Sequence, residues 1–365
     1  MCIAGARPNF MKVKPVLDAL QAREVPALLV HTGQHYDSQM SDVFFDELGL
    51  RPADHHLGVG SGSHAQQTAA IMVGFEALVE QTKPRAVVVV GDVNSTVACA
   101  LVAAKAGALV VHVEAGLRSR DWAMPEEINR VATDRLSDLL LAPSADAVEN
   151  LRSEGYRDDQ LRLVGNVMID TLLTNVARAR ARAVPARFGL TAGSFGLVTL
   201  HRPSNVDDPR ALERLLGALA RVAASVPLIF PVHPRTKERL GDLSIPHGLQ
   251  LVEPLGYLDF IGLQADAAVV LTDSGGIQEE TTALGVPCLT LRESTERPIT
   301  VTEGTNRVVG TDPDAIAEAA LDVLSDPPPA RCPALWDGHA GERVADSLVE
   351  VMNDVHWHRP TWRGP

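Results

Sequence analysis

The sequence predicts an α/β protein built from two Rossmann-like, doubly wound domains that face a cleft. Its 365 residues exceed one domain of ordinary size and suit two domains of roughly 150–200 residues each. In both halves of the chain, short apolar runs rich in β-branched residues alternate with helical patterns, as in parallel sheets covered by helices. A segment rich in arginine and alanine ends near Pro185 and separates the halves.

The strands of the first half are predicted from near-continuous apolar runs, which are typical of parallel strands covered on both faces. These runs are Ala27–His31, Ala86–Val90, Ala108–Val113 and Asp138–Leu141. A helix is predicted over Pro8–Leu20, because apolar residues recur there with helical spacing. The resulting βαβ series predicts a doubly wound sheet.

A second series of the same kind follows the arginine-rich segment. Its predicted strands are Phe195–Thr199, Pro227–Pro231, Leu249–Val252 and Ala268–Leu271, with another near Cys288–Leu291. Its predicted helices are Pro209–Ala224, Tyr257–Gln264 and Gly276–Leu284. Pro209 suits the first turn of a helix, where its missing N–H costs nothing.

These patterns divide the chain into five segments. Residues 1–170 form the first domain, 171–187 a linker helix, and 188–335 the second domain. Residues 336–355 form a C-terminal helix that we expect to pack back on the first domain, and 356–365 a frayed tail. Ligands of open α/β sheets bind at the carboxyl ends of the strands, so the cleft should lie at those edges.

The composition limits the classes of molecule that the protein is expected to bind. A net charge of −13 argues against nucleic acid or an anionic membrane, because both require a basic face. The four cysteines are scattered, which favours buried thiols in a reducing compartment over a metal site. We therefore expect a cytoplasmic protein without a metal ion, and no apolar run reaches the roughly 18 residues of a membrane helix.

Carboxylates follow the strands of the first half. Asp92 follows one predicted strand, Glu114 ends the next, and Glu126 and Glu127 open a later helix. Asp92 could instead cap a helix, and the glutamate pair could simply favour a helix N-terminus. Glu114 is harder to explain structurally, because a carboxylate that ends a buried run is costly unless it is paired or functional.

Anion-binding patterns follow the strands of the second half. Ser274-Gly275-Gly276 opens a helix directly after an apolar strand, and such a helix start presents backbone N–H groups to an anion. His201 and His233 each begin a basic loop after a strand. These loops suit a diphosphate, although ordinary basic surface loops explain them equally well.

Five motifs together resemble the non-hydrolysing UDP-N-acetylglucosamine 2-epimerase family. They are GARPxFxK from Gly5, GDxxST from Gly91, HVEAGLRS from His112, MPEEINR from Met124 and TDSGGIQEE from Thr272. The similarity runs from Gly5 to about Arg343. It implies the two-domain glycosyltransferase-B fold, a homodimer, and no metal or nicotinamide cofactor.

The resemblance implies that UDP-N-acetylglucosamine and UDP-N-acetylmannosamine interconvert by elimination of UDP to a 2-acetamidoglucal and its re-addition. Asp92, Glu114 and Glu126 match the catalytic carboxylates of the family. His201 matches the histidine that contacts the diphosphate and assists its departure.

The resemblance also assigns ligand contacts. Those on the phosphate side are Arg7, Lys12, Ser274, Gly275 and Gly276. Glu280 matches the ribose ligand, Phe260 and the backbone near Leu255 match uracil contacts, and Arg297 matches a further nucleotide-side arginine. A second, activating UDP-N-acetylglucosamine is implied near Gln34, His35 and His233.

Some features favour other readings. Asn9 stands where common members carry an acidic residue, and Pro203-Ser204 replaces their Arg-Glu. The loops Thr32–Asp37 and Leu57–His64 resemble the branch that acts on UDP-2,3-diacetamido-2,3-dideoxy-glucuronic acid. A glycosyltransferase of the same fold is a further alternative, but it would need an acceptor groove, often apolar or basic, against which the acidic charge argues. A non-catalytic sugar-nucleotide sensor is the last alternative, and it would not require three carboxylates at the cleft edge.

Overall fold

A computed structural model describes residues 1–33, 47–241 and 243–354, which form two compact units. The first unit contains the described part of Met1–Thr171 and the described residues from Ala334 onward, and the second contains Leu172–Pro333. Each unit has one parallel sheet with helices between successive strands. The α/β class predicted from the sequence is confirmed.

The sheet of the first unit has seven strands in the order β3-β2-β1-β4-β5-β6-β7. They are β1 Cys2–Ala4, β2 Leu29–His31, β3 His55–His56, β4 Ala86–Val90, β5 Leu109–Val113, β6 Leu139–Ala142 and β7 Leu161–Leu163. The strand order reverses between β1 and β4. At such a switch point the loops after the two strands diverge, and the gap between them is the usual ligand site of a doubly wound sheet.

Helices of the first unit connect these strands. They are α1 Arg7–Ala22, α2 His64–Thr82, α3 Asn94–Lys105, α4 Pro125–Leu136 and α5 Ala145–Ser153, followed by α6 Val167–Ala181, which continues into the second unit. Apolar side chains of α2 and α3, including Phe75 and Cys99, pack against Val87 and Val89 of β4. Eight of the twelve residues of α3 are buried, as expected for a helix that is apolar on most of its faces.

The sheet of the second unit has six strands in the order β10-β9-β8-β11-β12-β13. They are β8 Gly196–Thr199, β9 Leu228–Pro231, β10 Leu249–Val252, β11 Val269–Thr272, β12 Cys288–Thr290 and β13 Asn306–Val308. Its helices are α7 Val184–Arg187, α8 Pro203–Val206, α9 Pro209–Ala223, α10 Pro234–Leu240, α11 Tyr257–Asp266, α12 Gly275–Leu284, α13 Ile299–Thr302 and α14 Pro313–Ser325. This order repeats that of the first sheet, with the switch point between β8 and β11.

The edges of the sheets differ from the sequence-based expectation. The strands β3, β7 and β13 were not predicted, because each has only two or three residues and none forms a continuous apolar run. Edge strands pair on one side only and need no such run.

The arginine-rich segment lies on the surface, where Arg180 pairs with Asp266 and Arg182 with Asp259.

The last helix, α15 Ala340–Asn353, packs along α1 in the first unit. Asp170 accepts hydrogen bonds from the backbone N–H groups of Ala340 at 3.1 Å and Gly341 at 2.6 Å. A carboxylate at a helix N-terminus satisfies unpaired donors and interacts favourably with the helix dipole. A Cβ atom on Gly341 would lie 2.7 Å from the carbonyl group of Pro15, so only glycine permits this approach.

Within the described ranges, no helix is long and apolar enough to cross a bilayer. All four cysteines have free thiols, and those of Cys2, Cys99 and Cys288 are buried.

Gly341→Ala should destabilise the protein, because α1 or α15 must shift to accept the new methyl group. Overpacking of this kind costs about 1–3 kcal/mol of unfolding free energy. The matched control is Gly217→Ala on α9, where a Cβ atom would meet nothing within 4 Å, and a gain of up to about 1 kcal/mol is expected. Urea unfolding followed by circular dichroism measures both. An equal effect of the two substitutions would contradict the tight α1–α15 contact.

Candidate active site

The predicted site residues that follow strands lie at the carboxyl edge of the sheet in their own unit. In the first unit, Arg7 begins α1 just after β1, Asp92 follows β4, and Glu114 follows β5. In the second unit, His201, His233, Leu255, Ser274 and Arg297 follow β8, β9, β10, β11 and β12 in turn. Gln34 and His35 lie outside the described residues.

A buried ion pair occupies the switch point of the first sheet. The Lys12 ammonium contacts the Glu114 carboxylate, and both side chains are at least nine-tenths buried. Glu114 has φ +75°, a left-handed backbone that side-chain-bearing residues rarely adopt and that costs about 1–3 kcal/mol. Gly91 also has a left-handed backbone, and a Cβ atom there would lie 3.1 Å from Lys12 Nζ. The left-handed backbone and this close approach both favour glycine at position 91.

Asn9 ties the first turn of α1 to the neighbouring strand. Its Oδ1 accepts hydrogen bonds from the N–H groups of Gly5 and Ala6, and its Nδ2 donates to the Val90 carbonyl at 3.1 Å. The amide both accepts and donates here, which an ionised carboxylate cannot do. This contact accounts for asparagine at a position where the sequence departs from common family members.

Arg130 clamps two carboxylates of the first unit. Its Nε donates to Asp92 Oδ2 at 2.9 Å, and its Nη1 donates to Glu127 Oε2 at 2.8 Å. Asn129 Nδ2 donates to the Asp92 carbonyl at 2.9 Å. The N-cap of α3 is Val93, so Asp92 does not occupy the capping position that the sequence had left open for it.

The adjacent residues Glu126 and Glu127 have different surroundings. Glu127 is buried and accepts hydrogen bonds from the N–H groups of Ser119 and Arg120 as well as from Arg130. Burial alone would raise the pKa of Glu127, but these hydrogen bonds outweigh it and lower the pKa. Glu126 is half-buried and, among the residues that the structure describes, has no hydrogen bond or ion pair.

His112 is a core histidine, as its place within an apolar run had indicated. Its Nδ1 lies 2.6 Å from Asp134 Oδ1 and its Nε2 lies 2.9 Å from the carbonyl oxygen of Gly91. The ring therefore fixes the left-handed turn at Gly91 through the carbonyl of that residue, and its contribution to the site is structural.

A histidine and a carboxylate meet at the switch point of the second sheet. His201 Nδ1 lies 2.9 Å from Asp273 Oδ1, with the His201 side chain 54% exposed and that of Asp273 fully buried. Burial would raise the pKa of Asp273, but hydrogen bonds from His201, Arg202 and Asn205 outweigh it and lower the pKa. Asp273 was not among the predicted site residues, although it ends a buried strand just as Glu114 does.

The start of α12 is enclosed by a buried charge network. A Cβ atom on Gly275 would lie 2.6 Å from Glu296 Oε1, so glycine here leaves room for the Glu296 carboxylate. Arg297 Nε lies 3.1 Å from Glu279 Oε2, and Arg292 Nη1 donates to Glu296 at 2.9 Å. Although burial raises the pKa of Glu296, Arg297 and Arg292 lower it to about 2. The network holds cations beside backbone N–H groups, an arrangement suited to a phosphate.

Glu280 lies deeper in α12 and is fully enclosed. Burial, reinforced by the neighbouring Glu279, raises the pKa of Glu280 to about 8 against the opposing hydrogen bond from Gln264. A carboxyl group that is protonated near neutral pH can donate a hydrogen bond as well as accept one. Phe260 and Leu255 are half-buried on one apolar cluster of the same unit.

Within the described ranges, no group of three or more His, Cys, Asp and Glu side chains is arranged to hold a metal ion. The chemistry that these side chains offer is proton transfer in the first unit and anion binding in the second. His233 is exposed and directly precedes α10.

Comparison with known proteins gives consistent matches. A family model described as UDP-N-acetylglucosamine 2-epimerase matches residues 18–349. The UDP-N-acetylglucosamine 2-epimerase of Methanocaldococcus jannaschii is 40% identical over 358 residues, 95% of this chain and 98% of its own. The UDP-2,3-diacetamido-2,3-dideoxy-D-glucuronate 2-epimerase of Pseudomonas aeruginosa is 39% identical over 356 residues, 96% and 99% of the two chains.

Solved structures resemble the chain over nearly its whole length. The crystal structure of M. jannaschii UDP-GlcNAc 2-epimerase in complex with UDP-GlcNAc and UDP has a TM-score of 0.87 at 38% identity. That of UDP-GlcNAc 2-epimerase from Neisseria meningitidis bound to UDP-GlcNAc has 0.88 at 30% identity. Each match covers 96% of this chain and 99% of the other. These matches confirm the glycosyltransferase-B fold class expected from the sequence.

Glu127→Gln should lower the unfolding free energy by about 1.5–3 kcal/mol, the range for hydrogen bonds to a charged group. The matched control Glu126→Gln should change it by less than about 0.5 kcal/mol. Since the pKa of Glu127 is lowered by folding, its stabilisation is present above the unfolded pKa near 4.3 and is lost as pH falls through the folded pKa. Urea unfolding at pH 7 and pH 3.5 should show the Glu127→Gln deficit shrinking at the lower pH; a constant deficit would contradict this assignment.

Proposed function

The chain belongs to the UDP-N-acetylglucosamine 2-epimerase family, and from that premise we propose that it is a non-hydrolysing 2-epimerase. It is an isomerase that interconverts UDP-N-acetylglucosamine and UDP-N-acetylmannosamine. The observation that carries the proposal is the set of three carboxylates in the first unit. Glu114 is paired with Lys12 and Asp92 with Arg130, while Glu126 has no partner within the described part of the chain.

The proposed reaction is an elimination followed by an addition. A carboxylate takes the proton from C2 of the sugar, the C–H electrons form a C1=C2 double bond, and the bond from C1 to the UDP oxygen breaks. UDP then adds back to C1 of the 2-acetamidoglucal while a proton arrives on the opposite face of C2. No oxidant or reductant is required.

Proton transfer on both faces of C2 explains the need for more than one carboxylate. The C2 proton is weakly acidic, so groups that accept and return it must be close and held in defined protonation states. Lys12 and Arg130 hold the Glu114 and Asp92 carboxylates in ion pairs. Glu126 can take up or release a proton without breaking an ion pair.

Binding and departure of UDP are assigned to cations and N–H dipoles. The phosphate ligands are the start of α12 at Ser274, Gly275 and Gly276, together with Arg297, Arg7 and Lys12. His201 assists the departing diphosphate. Glu280 forms a hydrogen bond with a ribose hydroxyl. Uracil is contacted by Phe260 and by the backbone at Leu255.

Incubation of the enzyme with UDP-N-acetylglucosamine alone tests the proposal. We expect UDP-N-acetylmannosamine to accumulate to an equilibrium mixture without any acceptor, as measured by ion-exchange chromatography. Release of UDP with free N-acetylmannosamine would show a hydrolysing enzyme. Turnover only after an acceptor is added would show a glycosyltransferase, and either result would refute the assignment.

UDP-2,3-diacetamido-2,3-dideoxy-glucuronate is the second candidate substrate. The Pseudomonas aeruginosa relative that is named for it is 39% identical in sequence to this chain, against 40% for the archaeal enzyme. Parallel assays with the two sugars decide between them. We expect kcat/KM for UDP-N-acetylglucosamine to be higher, and the reverse order would reassign the substrate while leaving the 2-epimerase chemistry intact.

We also propose that the enzyme is a homodimer and that α2, α3 and α4 of the first unit form its contact face. Ala65, Ala69, Val73 and Ala77 recur every fourth residue on α2 and are all exposed, with Val73 71% exposed. Neighbouring α3 and α4 add Leu101 and Ile128, the latter 48% exposed. Exposed apolar residues clustered in this way are typical of an interaction surface. The four residues of the α2 row carry no charge, and a two-fold contact would place the same row of each subunit together.

Val73→Glu should convert the dimer to a monomer, because each two-fold contact would bury two new carboxylates. The matched control is Val301→Glu, a valine 42% exposed in the second unit, which should leave the dimer intact. Sedimentation velocity distinguishes the two states. A monomeric wild-type protein, or a dimer that survives Val73→Glu, would refute the proposed face.

We further propose that a second UDP-N-acetylglucosamine activates the enzyme through Gln34, His35 and His233. The M. jannaschii structure in complex with both UDP-GlcNAc and UDP motivates this proposal. Starting from UDP-N-acetylmannosamine, the rate should show a lag that added UDP-N-acetylglucosamine removes, and His233→Ala should weaken that response. A hyperbolic rate curve without a lag would refute activation.

A further inference from the structure

Asp273 is a buried carboxylate that the reaction above does not use. Its side chain is fully buried at the end of β11. It accepts hydrogen bonds from the N–H groups of His201 and Arg202, from Asn205 Nδ2 at 3.1 Å, and from the His201 ring. An ionised carboxylate in such a place is costly unless donors surround it, and here they do.

The contact with His201 determines which ring nitrogen carries a proton. An ionised carboxylate can only accept hydrogen bonds, so the Nδ1 that faces Asp273 must be the N–H nitrogen. The Nε2 atom is then the nitrogen that can meet a ligand, on a side chain that is 54% exposed. Because β8 and β11 are neighbours in the sheet, the rigid strand ends hold this geometry.

We propose that Asp273 is a positioning residue for the 2-epimerase reaction, which fixes His201 as the Nδ1–H tautomer so that Nε2 exchanges the proton with the diphosphate. During elimination, Nε2–H of the imidazolium gives its proton to the departing diphosphate oxygen as the C1–O bond breaks. During addition, neutral Nε2 takes the proton back. This inference rests on the proposed function for its catalytic consequence and on geometry alone for the tautomer.

A purely structural carboxylate would only hold the loop after β8. Asn205 provides the comparison, because its Nδ2 donates to Asp273 and to the Leu291 carbonyl, and neither of these hydrogen bonds involves the His201 ring. Loss of Asn205 should loosen the loop and leave the ring tautomer unchanged. Loss of the Asp273 charge should alter the tautomer itself.

Nitrogen NMR of ¹⁵N-histidine-labelled enzyme tests the tautomer directly and needs no turnover. The His201 signals are identified by their loss in His201→Gln. We expect neutral His201 to be protonated at Nδ1 in the wild-type protein and in Asn205→Ala. An Nε2–H tautomer in the wild-type protein would overturn the proposal whatever reaction the enzyme catalyses.

A double-mutant cycle tests the consequence for catalysis. Asp273→Asn should lower kcat by at least about 100-fold, since loss of the carboxylate behind a catalytic histidine costs up to about 10⁴-fold. In the His201→Gln background the same change should cost less than about threefold, because residues that act as one unit are non-additive. Multiplicative losses would overturn the proposal, as would Asn205→Ala matching the kcat loss of Asp273→Asn. If Asp273→Asn does not fold, the wild-type tautomer decides alone.

Discussion

The buried ion pair of Lys12 and Glu114 joins the first helix to the end of β5 across the switch point of the first sheet. Either charge alone would be expensive there, and removing one partner of a buried pair typically costs about 3–5 kcal/mol. Glu114 has a left-handed backbone, and glycine at position 91 leaves room beside the pair for the Lys12 ammonium. Stability and proposed chemistry therefore depend on the same contact.

The two sheets share a topology but differ in the charge of the side chains at their carboxyl edges. The six strands of the second sheet follow the order of the first six strands of the first sheet. In each sheet a buried carboxylate meets a basic group from across the reversal of strand order: Glu114 meets Lys12, and Asp273 meets His201. The first unit adds further carboxylates, whereas the second adds arginines and the N-terminus of α12. This division corresponds to the two demands of a 2-epimerase, which are movement of a proton at C2 and retention of UDP.

The sequence predicted β2, β4, β5, β6 and β8 to β12, because they are continuous apolar runs, and missed β3, β7 and β13, which are not. The carboxylates could be placed at strand ends from their spacing, but their partners could not. Glu126 and Glu127 are adjacent and chemically identical in sequence, and only the contacts with Ser119, Arg120 and Arg130 separate a structural residue from a catalytic candidate. The argument that singled out Glu114 applied equally to Asp273, whose contact with His201 depends on the pairing of β8 with β11.

Proton NMR of the product formed in deuterated water tests the central claim, that the carboxylates of the first unit exchange the proton at C2 during epimerisation. The wild-type enzyme with UDP-N-acetylglucosamine should give UDP-N-acetylmannosamine that carries deuterium at C2. Glu126→Gln should retain its fold and show no such exchange. Epimerised product that keeps its original C2 hydrogen would contradict the account.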